Sequence, residues 1–285
     1  MTDRIVVTGA TGKVGGQVVR QLVAAGREVR AVVRDSSKAR LAGAEVVRGD
    51  LGEPDTIAAA AEESEAAFLL WPYLGTPADT VPDVVAALAK RTARIVVLSS
   101  MGVVDGVDRQ KDPNSEFHAA LEREVRRSGA EWTFVRPGGF AGNTLGWAST
   151  IRAEGVVRAA YAQLARPLIH EADIAAVAVA ALTGDGHAGA TYAVTGPALV
   201  TQAEQMAAIG AAIGRELRFE ELAPAEAQRQ LRAAGWPTEM ADSAMRTWSR
   251  MLARPEPVTT TVQDVLGRPA LTYQQWAVDH ADDFR

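Results

Sequence analysis

The sequence predicts an α/β fold, a doubly wound parallel sheet with a smaller, mainly helical substrate lobe. Three observations predict it. Short β-branched runs alternate with helical patterns up to residue 196, the rhythm of βαβ units with right-handed crossovers. Beyond residue 196 the strand signals give way to helical ones. Between the first strand and the first helix lies Thr8-Gly9-Ala10-Thr11-Gly12-Lys13-Val14-Gly15, a glycine-rich turn that makes the sheet Rossmann-type.

Each element has its own signal. Ile5–Thr8 is a compact apolar run, as a buried parallel strand requires. Val14–Ala25 carries Val14, Val18, Val19, Leu22 and Val23 on one helical face, and Gly26 ends it. Further strands are expected at Val29–Val33, Glu45–Val47, Ala66–Leu70, Arg94–Ser99, Trp132–Arg136 and Thr191–Thr195. Helices are expected at Pro54–Glu63, Val81–Ala89 and Glu116–Arg127, the last closed by Gly129. Asp173 is expected to cap the helix that follows it. Four more helices are expected near 202–213, 224–234, 238–253 and 272–282, broken at Pro237, Pro255, Pro257, Gly267 and Pro269. The sheet core is therefore placed at about 1–140 plus 171–196, and the lobe at about 141–170 plus 197–285.

Composition narrows the function. The 285 residues carry 30 Lys and Arg against 35 Asp and Glu, a net charge of −5. Neutralising phosphates along a nucleic acid needs a basic surface, so nucleic-acid binding is disfavoured. The absence of cysteine excludes disulfides, thiolate catalysis and thiolate-ligated metals. The four histidines, His118, His170, His187 and His280, are scattered, so no metal site is expected. No signal peptide or 18-residue apolar run appears, and a cytoplasmic protein without membrane contact, monomer or homodimer, is expected.

The glycine turn assigns roles. Gly9 permits the tight turn, Gly12 lets backbone approach a pyrophosphate, and Gly15 lets the helix pack closely. The backbone N–H groups around Thr11, Gly12, Lys13 and Val14 open the helix and face the phosphates. At the end of the second strand stands Arg34 rather than an acidic residue, and a guanidinium suits a ribose 2′-phosphate. Lys38 and Lys13 add charge there, whereas Asp35 is a counter-signal one residue on. NADP(H) is thus favoured over NAD(H). After the third strand, Asp50 can accept from an adenine amino group with Leu51 against the ring, or can cap a turn.

Together these residues resemble the NmrA-like atypical short-chain dehydrogenase/reductases, which include NADPH-dependent quinone oxidoreductases. The resemblance rests on residues 7–15, Val33-Arg34-Asp35 with Lys38, Gly49-Asp50-Leu51, Val97-Leu98-Ser99-Ser100, residues 132–140 with Asn143, and Asp173-Ile174-Ala175. It implies that Leu70, Trp71 and Pro72 after the fourth strand, and Pro137 in the Arg-Pro-Gly segment, line the nicotinamide end. Typical short-chain dehydrogenases use a Tyr-x-x-x-Lys pair, and none of Tyr73, Tyr161, Tyr192 and Tyr273 has a lysine four residues on. His118 stands in the corresponding helix, one turn before Glu122. It can donate a proton or merely touch the nicotinamide ribose. Ser99 can orient a substrate carbonyl or satisfy strand-end backbone.

On the substrate side, Trp71 can stack on a flat compound or plug the core. Met101, Phe140, Asn143 and Trp147 are expected to approach the same crevice, with His170 facing it. Trp236, Trp248 and Trp276 read as core of the lobe. An aromatic, apolar pocket suits a quinone, an enone or an aromatic natural-product intermediate. A sugar phosphate is disfavoured, because no arginine cluster appears in the lobe loops. The expected function is hydride transfer from NADPH to such a small molecule. Two alternatives keep the fold: a dinucleotide-binding redox sensor without turnover, and a non-redox isomerase or cyclase using His118 or Glu122.

Overall fold

The computed structural model describes residues 3–37, 39, 41–72 and 76–285. The chain forms two compact units, Met1–Pro137 with Glu171–Val194 and Thr261–Arg268, and Gly138–His170 with Thr195–Thr260 and Pro269–Arg285.

The first unit is a seven-stranded sheet. Its strands are β1 (Arg4–Val7), β2 (Glu28–Val33), β3 (Glu45–Arg48), β4 (Ala66–Leu70), β5 (Arg94–Leu98), β6 (Glu131–Pro137) and β7 (Ala190–Val194). All pair in parallel in the order β3-β2-β1-β4-β5-β6-β7. The order reverses beside β1, so the crevice outside the carboxyl ends of β1 and β4 is where a ligand belongs in such a sheet.

Four helices lie between the first strands: α1 (Lys13–Ala24), α2 (Pro54–Ala60), α3 (Val81–Ala89) and α4 (Pro113–Arg127). Burial of Val14, Val18, Val19 and Leu22 fixes α1, each side chain contributing about 1.5–3 kcal/mol relative to exposure. Its neighbour is the helix Glu171–Thr183. Val6, Val32, Ile57, Leu69, Val85 and Leu121 belong to one continuous core on the other face.

Several boundaries differ from the sequence reading for identifiable reasons. The α4 helix starts at Pro113, because the Asp112 carboxylate accepts from Ser115 N–H at 3.0 Å and proline suits the first helical position. Asp173 is not a cap: the helix begins at Glu171, and the buried Asp173 carboxylate lies 2.7 Å from Arg268. The helix Thr261–Leu266, absent from the sequence reading, joins the sheet unit by packing on Glu171–Thr183.

The second unit contains the expected helices Gln202–Ile213, Pro224–Ala233, Thr238–Ala253 and Tyr273–Asp279. Thr201 and Glu204 form a capping box at the first of these. It also contains two small sheets that the sequence reading missed. Arg218–Glu221 pairs in parallel with Val156–Ala159, and Val200–Thr201 pairs antiparallel with Ala165–Arg166. These strands are four and two residues long, too short for a period-2 pattern to register. Tyr273, Trp276, Phe284 and Ile209 centre its core. Among the described residues no helix is long and apolar enough to cross a membrane.

Candidate functional site

The glycine turn sits at the switch point of the sheet. Gly9 has φ +63°, the left-handed region, and a Cβ there would lie 3.0 Å from Leu70 Cδ2. Thr8 Oγ1 donates to the Leu70 carbonyl at 3.0 Å and accepts from the Leu70 N–H at 2.8 Å, which ties the end of β1 to the end of β4. A Cβ on Gly15 would lie 2.2 Å from the Gly9 carbonyl oxygen. Gly15 therefore lets α1 abut the turn itself, not the strand.

The helix start is open. Gly12 is the α1 N-cap and supplies no side-chain cap, and the first turn carries no acidic residue. Thr11, Gly12 and Lys13 are exposed while Val14 is buried beneath them. First-turn N–H groups with the positive end of a helix dipole form an anion site. The residues thus fit a dinucleotide pyrophosphate.

Other positions for a cofactor follow the strand ends. Arg34 is exposed and has no hydrogen-bond or ion-pair partner among the described residues. Asp35 Oδ1 accepts from the Ser37 N–H at 3.0 Å and the Ser37 hydroxyl at 2.6 Å, so the competing carboxylate is spent on a local turn. Lys38 lies outside the described residues. Asp50 Oδ1 accepts from Gly52 N–H at 2.8 Å, and Oδ2 has no partner among the described residues. Leu51 is largely buried in the core. Leu70 is half-buried, Pro72 is exposed, and Pro137 is buried with its carbonyl accepting from Met101 N–H at 3.1 Å.

Two sequence expectations are corrected beside these strands. Trp71 is only 2% exposed and packs in the core, its ring 6.3 Å from that of Phe117. It plugs the core and offers no face for stacking. Its Nε1 is buried without a partner among the described residues. Ser99 is buried, and its hydroxyl donates to Glu122 Oε1 at 2.5 Å, away from both roles considered for it.

That contact opens an ionic network missed in the sequence. Arg136 donates from Nε and Nη2 to Glu122 at 2.8 and 2.6 Å, and from Nη1 and Nη2 to Asp105 at 2.8 and 2.7 Å. Arg126 adds a contact to Glu122 at 3.3 Å. Burial opposes charge on Arg136, but the two carboxylates outweigh it and hold its pKa above the ordinary range. Arg136 in turn holds the Asp105 carboxyl below its ordinary value. The hint in the sequence was the pair of arginines, Arg126 and Arg136, around a glutamate on an otherwise apolar helix face. Both Glu122 carboxylate oxygens are thereby committed to Ser99 and the two arginines.

His118 lies on α4 with Nδ1 buried and without a partner among the described residues. Burial pushes its imidazole down to about 4, against the attraction of Glu122 and Asp112. It is neutral at pH 7 and is no imidazolium acid there.

Of the remaining expected substrate residues, Met101 is half-buried in the first unit and the others belong to the second. Phe140 is half-buried, Asn143 is exposed, and Trp147 packs against the second core. His170 is buried, its Nε2 is 3.2 Å from Asp279 Oδ2, and its ring lies 6.2 Å from that of His280. It is a packed histidine in an aromatic cluster with Trp276. Arg246 and Arg250 share the wall of one groove in this unit. The arginine pair absent from the lobe loops is therefore present on a helix, at the i, i+4 spacing that brings side chains together.

Comparison with known proteins agrees with this geometry. A family model described as NAD(P)H-binding matches residues 9–185. The chain is 41% identical, over 98% of its length and 99% of the relative's, to a (4-alkanoyl-5-oxo-2,5-dihydrofuran-3-yl)methyl phosphate reductase of Streptomyces griseus subsp. griseus. It is 36% identical, over 98% and 99%, to an NAD(P)H azoreductase of Xenophilus azovorans. In fold it matches an NADPH-dependent quinone oxidoreductase of Escherichia coli solved with NADPH, with TM-score 0.79, 24% identity and coverage of 96% and 99%. The Rossmann-type sheet and the resemblance read from the sequence are borne out. The chain belongs to the NAD(P)H-binding family.

Proposed function

We propose that the protein is an NADPH-dependent reductase that delivers hydride to a conjugated, electron-poor small molecule. The observation that carries this reading is the open start of α1 at the switch point, held by the Thr8–Leu70 clamp and the Gly9–Gly15 approach. Bound there, the nicotinamide cofactor supplies hydride. The α1 amides would hold the pyrophosphate, Arg34 would meet the 2′-phosphate, and Asp50 would accept from the adenine. Leu70, Pro72 and Pro137 flank the nicotinamide.

The substrate class follows from what the site lacks. Without a Tyr-x-x-x-Lys pair and with His118 neutral at pH 7, no side chain described here gives strong acid help. An acceptor that draws hydride by its own conjugation needs little, and water supplies the proton. The relatives' names point the same way: one is named a reductase of an alkanoyl-substituted oxo-dihydrofuranyl methyl phosphate, and the other an azoreductase.

One observation favours a second reading. Trp71 is buried, so it is not the aromatic platform of a substrate pocket, as a sensor without turnover would allow. The isomerase or cyclase reading loses support because Glu122 is locked by Arg136 and Ser99. Titration with NADPH and NADH, then reduced-nicotinamide absorbance with a panel of enones, quinones and azo dyes, tests the proposal. NADPH-preferring binding with acceptor-dependent oxidation is expected. Tight binding with no oxidation across the panel supports the sensor instead.

A further inference from the structure

A groove of about 540 Å³ opens on the second unit. It is lined by Tyr161, by the first turns of the helix Pro224–Ala233, and by one face of the helix Thr238–Ala253. From the latter come Met245, Arg246, Ser249 and Arg250. Positions 246, 249 and 250 stand three and four residues apart, so their side chains share one face.

The charges in the groove are not balanced. Arg246 is exposed and makes no hydrogen bond or salt bridge among the described residues. Arg250 is exposed and donates to the Thr247 hydroxyl at 3.1 Å, with no carboxylate partner among the described residues. The nearby carboxylates are committed elsewhere. Asp242 Oδ1 accepts from Arg232 at 2.6 Å and from Gln228 at 2.8 Å, and Glu226 pairs with Arg229. Asp242, one turn before Arg246, also feels its charge but makes no direct ion pair with it among the described residues. Two neighbouring guanidiniums with no direct carboxylate contact favour an anion, and their forked donors match a phosphate.

Apart from Gln228 and Ser249, the rest of the lining is apolar or aromatic. Met245 is buried with Ala160 and Ala227, and Tyr161 packs on the same cluster. Tyr161 holds φ +66°, a conformation side chains rarely adopt, shared among the described residues only with Glu63 outside glycine. Such strain persists only where surrounding structure imposes it, and it collects at ligand sites. Here it sets the ring at the wall of the groove.

We propose that this groove binds a phosphate monoester bearing an alkyl chain, with the phosphate on Arg246 and Arg250 and the chain on Met245 and Tyr161. The site goes beyond the reductase reading and does not depend on it.

Calorimetric titration of the full chain, without cofactor, with octyl phosphate, octanol and inorganic phosphate tests it. Octyl phosphate is expected to bind at least about tenfold more tightly than either half-ligand, as a charge-assisted contact joined to apolar burial requires. Arg246→Gln with Arg250→Gln is expected to cost octyl phosphate about tenfold or more and to leave octanol unchanged. Equal binding of octyl phosphate and octanol by the unmodified chain overturns the proposal, as does unchanged octyl phosphate affinity in the double variant. No reduction is measured, so failure here leaves the reductase reading intact, and failure of that reading leaves this result standing.

Discussion

Arg136 grips Glu122 through paired hydrogen bonds of 2.8 and 2.6 Å, with both side chains withdrawn from water. The pair joins the end of β6 to α4, and Ser99 ties β5 to the same carboxylate. A buried guanidinium–carboxylate pair is costly to break from one side, because the surviving charge is stranded. Arg136→Met, which leaves the fully buried Glu122 only Arg126 at 3.3 Å as a cation partner among the described residues, is expected to destabilise the fold by about 3–5 kcal/mol. Glu122→Gln, which leaves Arg136 its Asp105 pair, is expected to cost less, and Glu122→Leu with Arg136→Met less than Arg136→Met alone. Urea denaturation of the three variants decides this. Equal losses for single and double variants would mean that the pair acts by packing alone.

Arg34 stands exposed beside a carboxylate already spent on Ser37. A hydrogen bond to a charged group is worth about 1.5–3 kcal/mol, so Arg34→Ala should weaken NADPH by roughly ten- to a hundredfold. NADH should change little. Equal losses for the two cofactors would remove Arg34 from the 2′-phosphate.

Gly15 faces the Gly9 carbonyl at a distance that leaves no room for a methyl group. Gly15→Ala should push the turn away from α1, at about 1–3 kcal/mol of stability, and NADPH affinity should fall with it. Paired thermal melts and NADPH titrations measure both. Intact affinity would show that the turn tolerates displacement.

His118 carries the pH dependence that burial creates. Its folded value of about 4 lies below the ordinary 6.5. As pH falls, the unfolded chain takes up this proton first, so the contribution is full above 6.5 and is lost as pH falls toward 4. His118→Asn should flatten the decline in unfolding free energy between about pH 6.5 and about pH 4. Turnover should show no inflection from this group near neutrality. A histidine-dependent inflection there would restore its role as the acid.

Much of this molecule was legible in its sequence, and the failures have physical causes. Ala66–Leu70 and Val81–Ala89 stand where their apolar patterns placed them, as do the helices 202–213 and 238–253. Long periodic segments and a glycine turn between strand and helix are local signals. The burial of Trp71 is not local. An aromatic at a strand end looks the same whether its ring faces ligand or core, and Phe117, 46 residues away, settles it. The Ser99–Glu122–Arg136–Asp105 network joins β5, α4, β6 and the loop before α4, so no single window contains it. Arg246 and Arg250 stand at i, i+4 on a helix, a spacing the sequence itself displays, but their shared groove wall is formed with Tyr161 and Pro224 from other elements and no single window contains it.

The most direct test of hydride transfer follows the hydrogen itself. NADPH deuterated at the transferring carbon is mixed with the protein and a conjugated carbonyl acceptor, and the product is weighed by mass spectrometry. One deuterium in the reduced product, retained in solvent of ordinary hydrogen, is the predicted result. Unlabelled product, or bound NADPH with no reduced product from any acceptor in the panel, would contradict it.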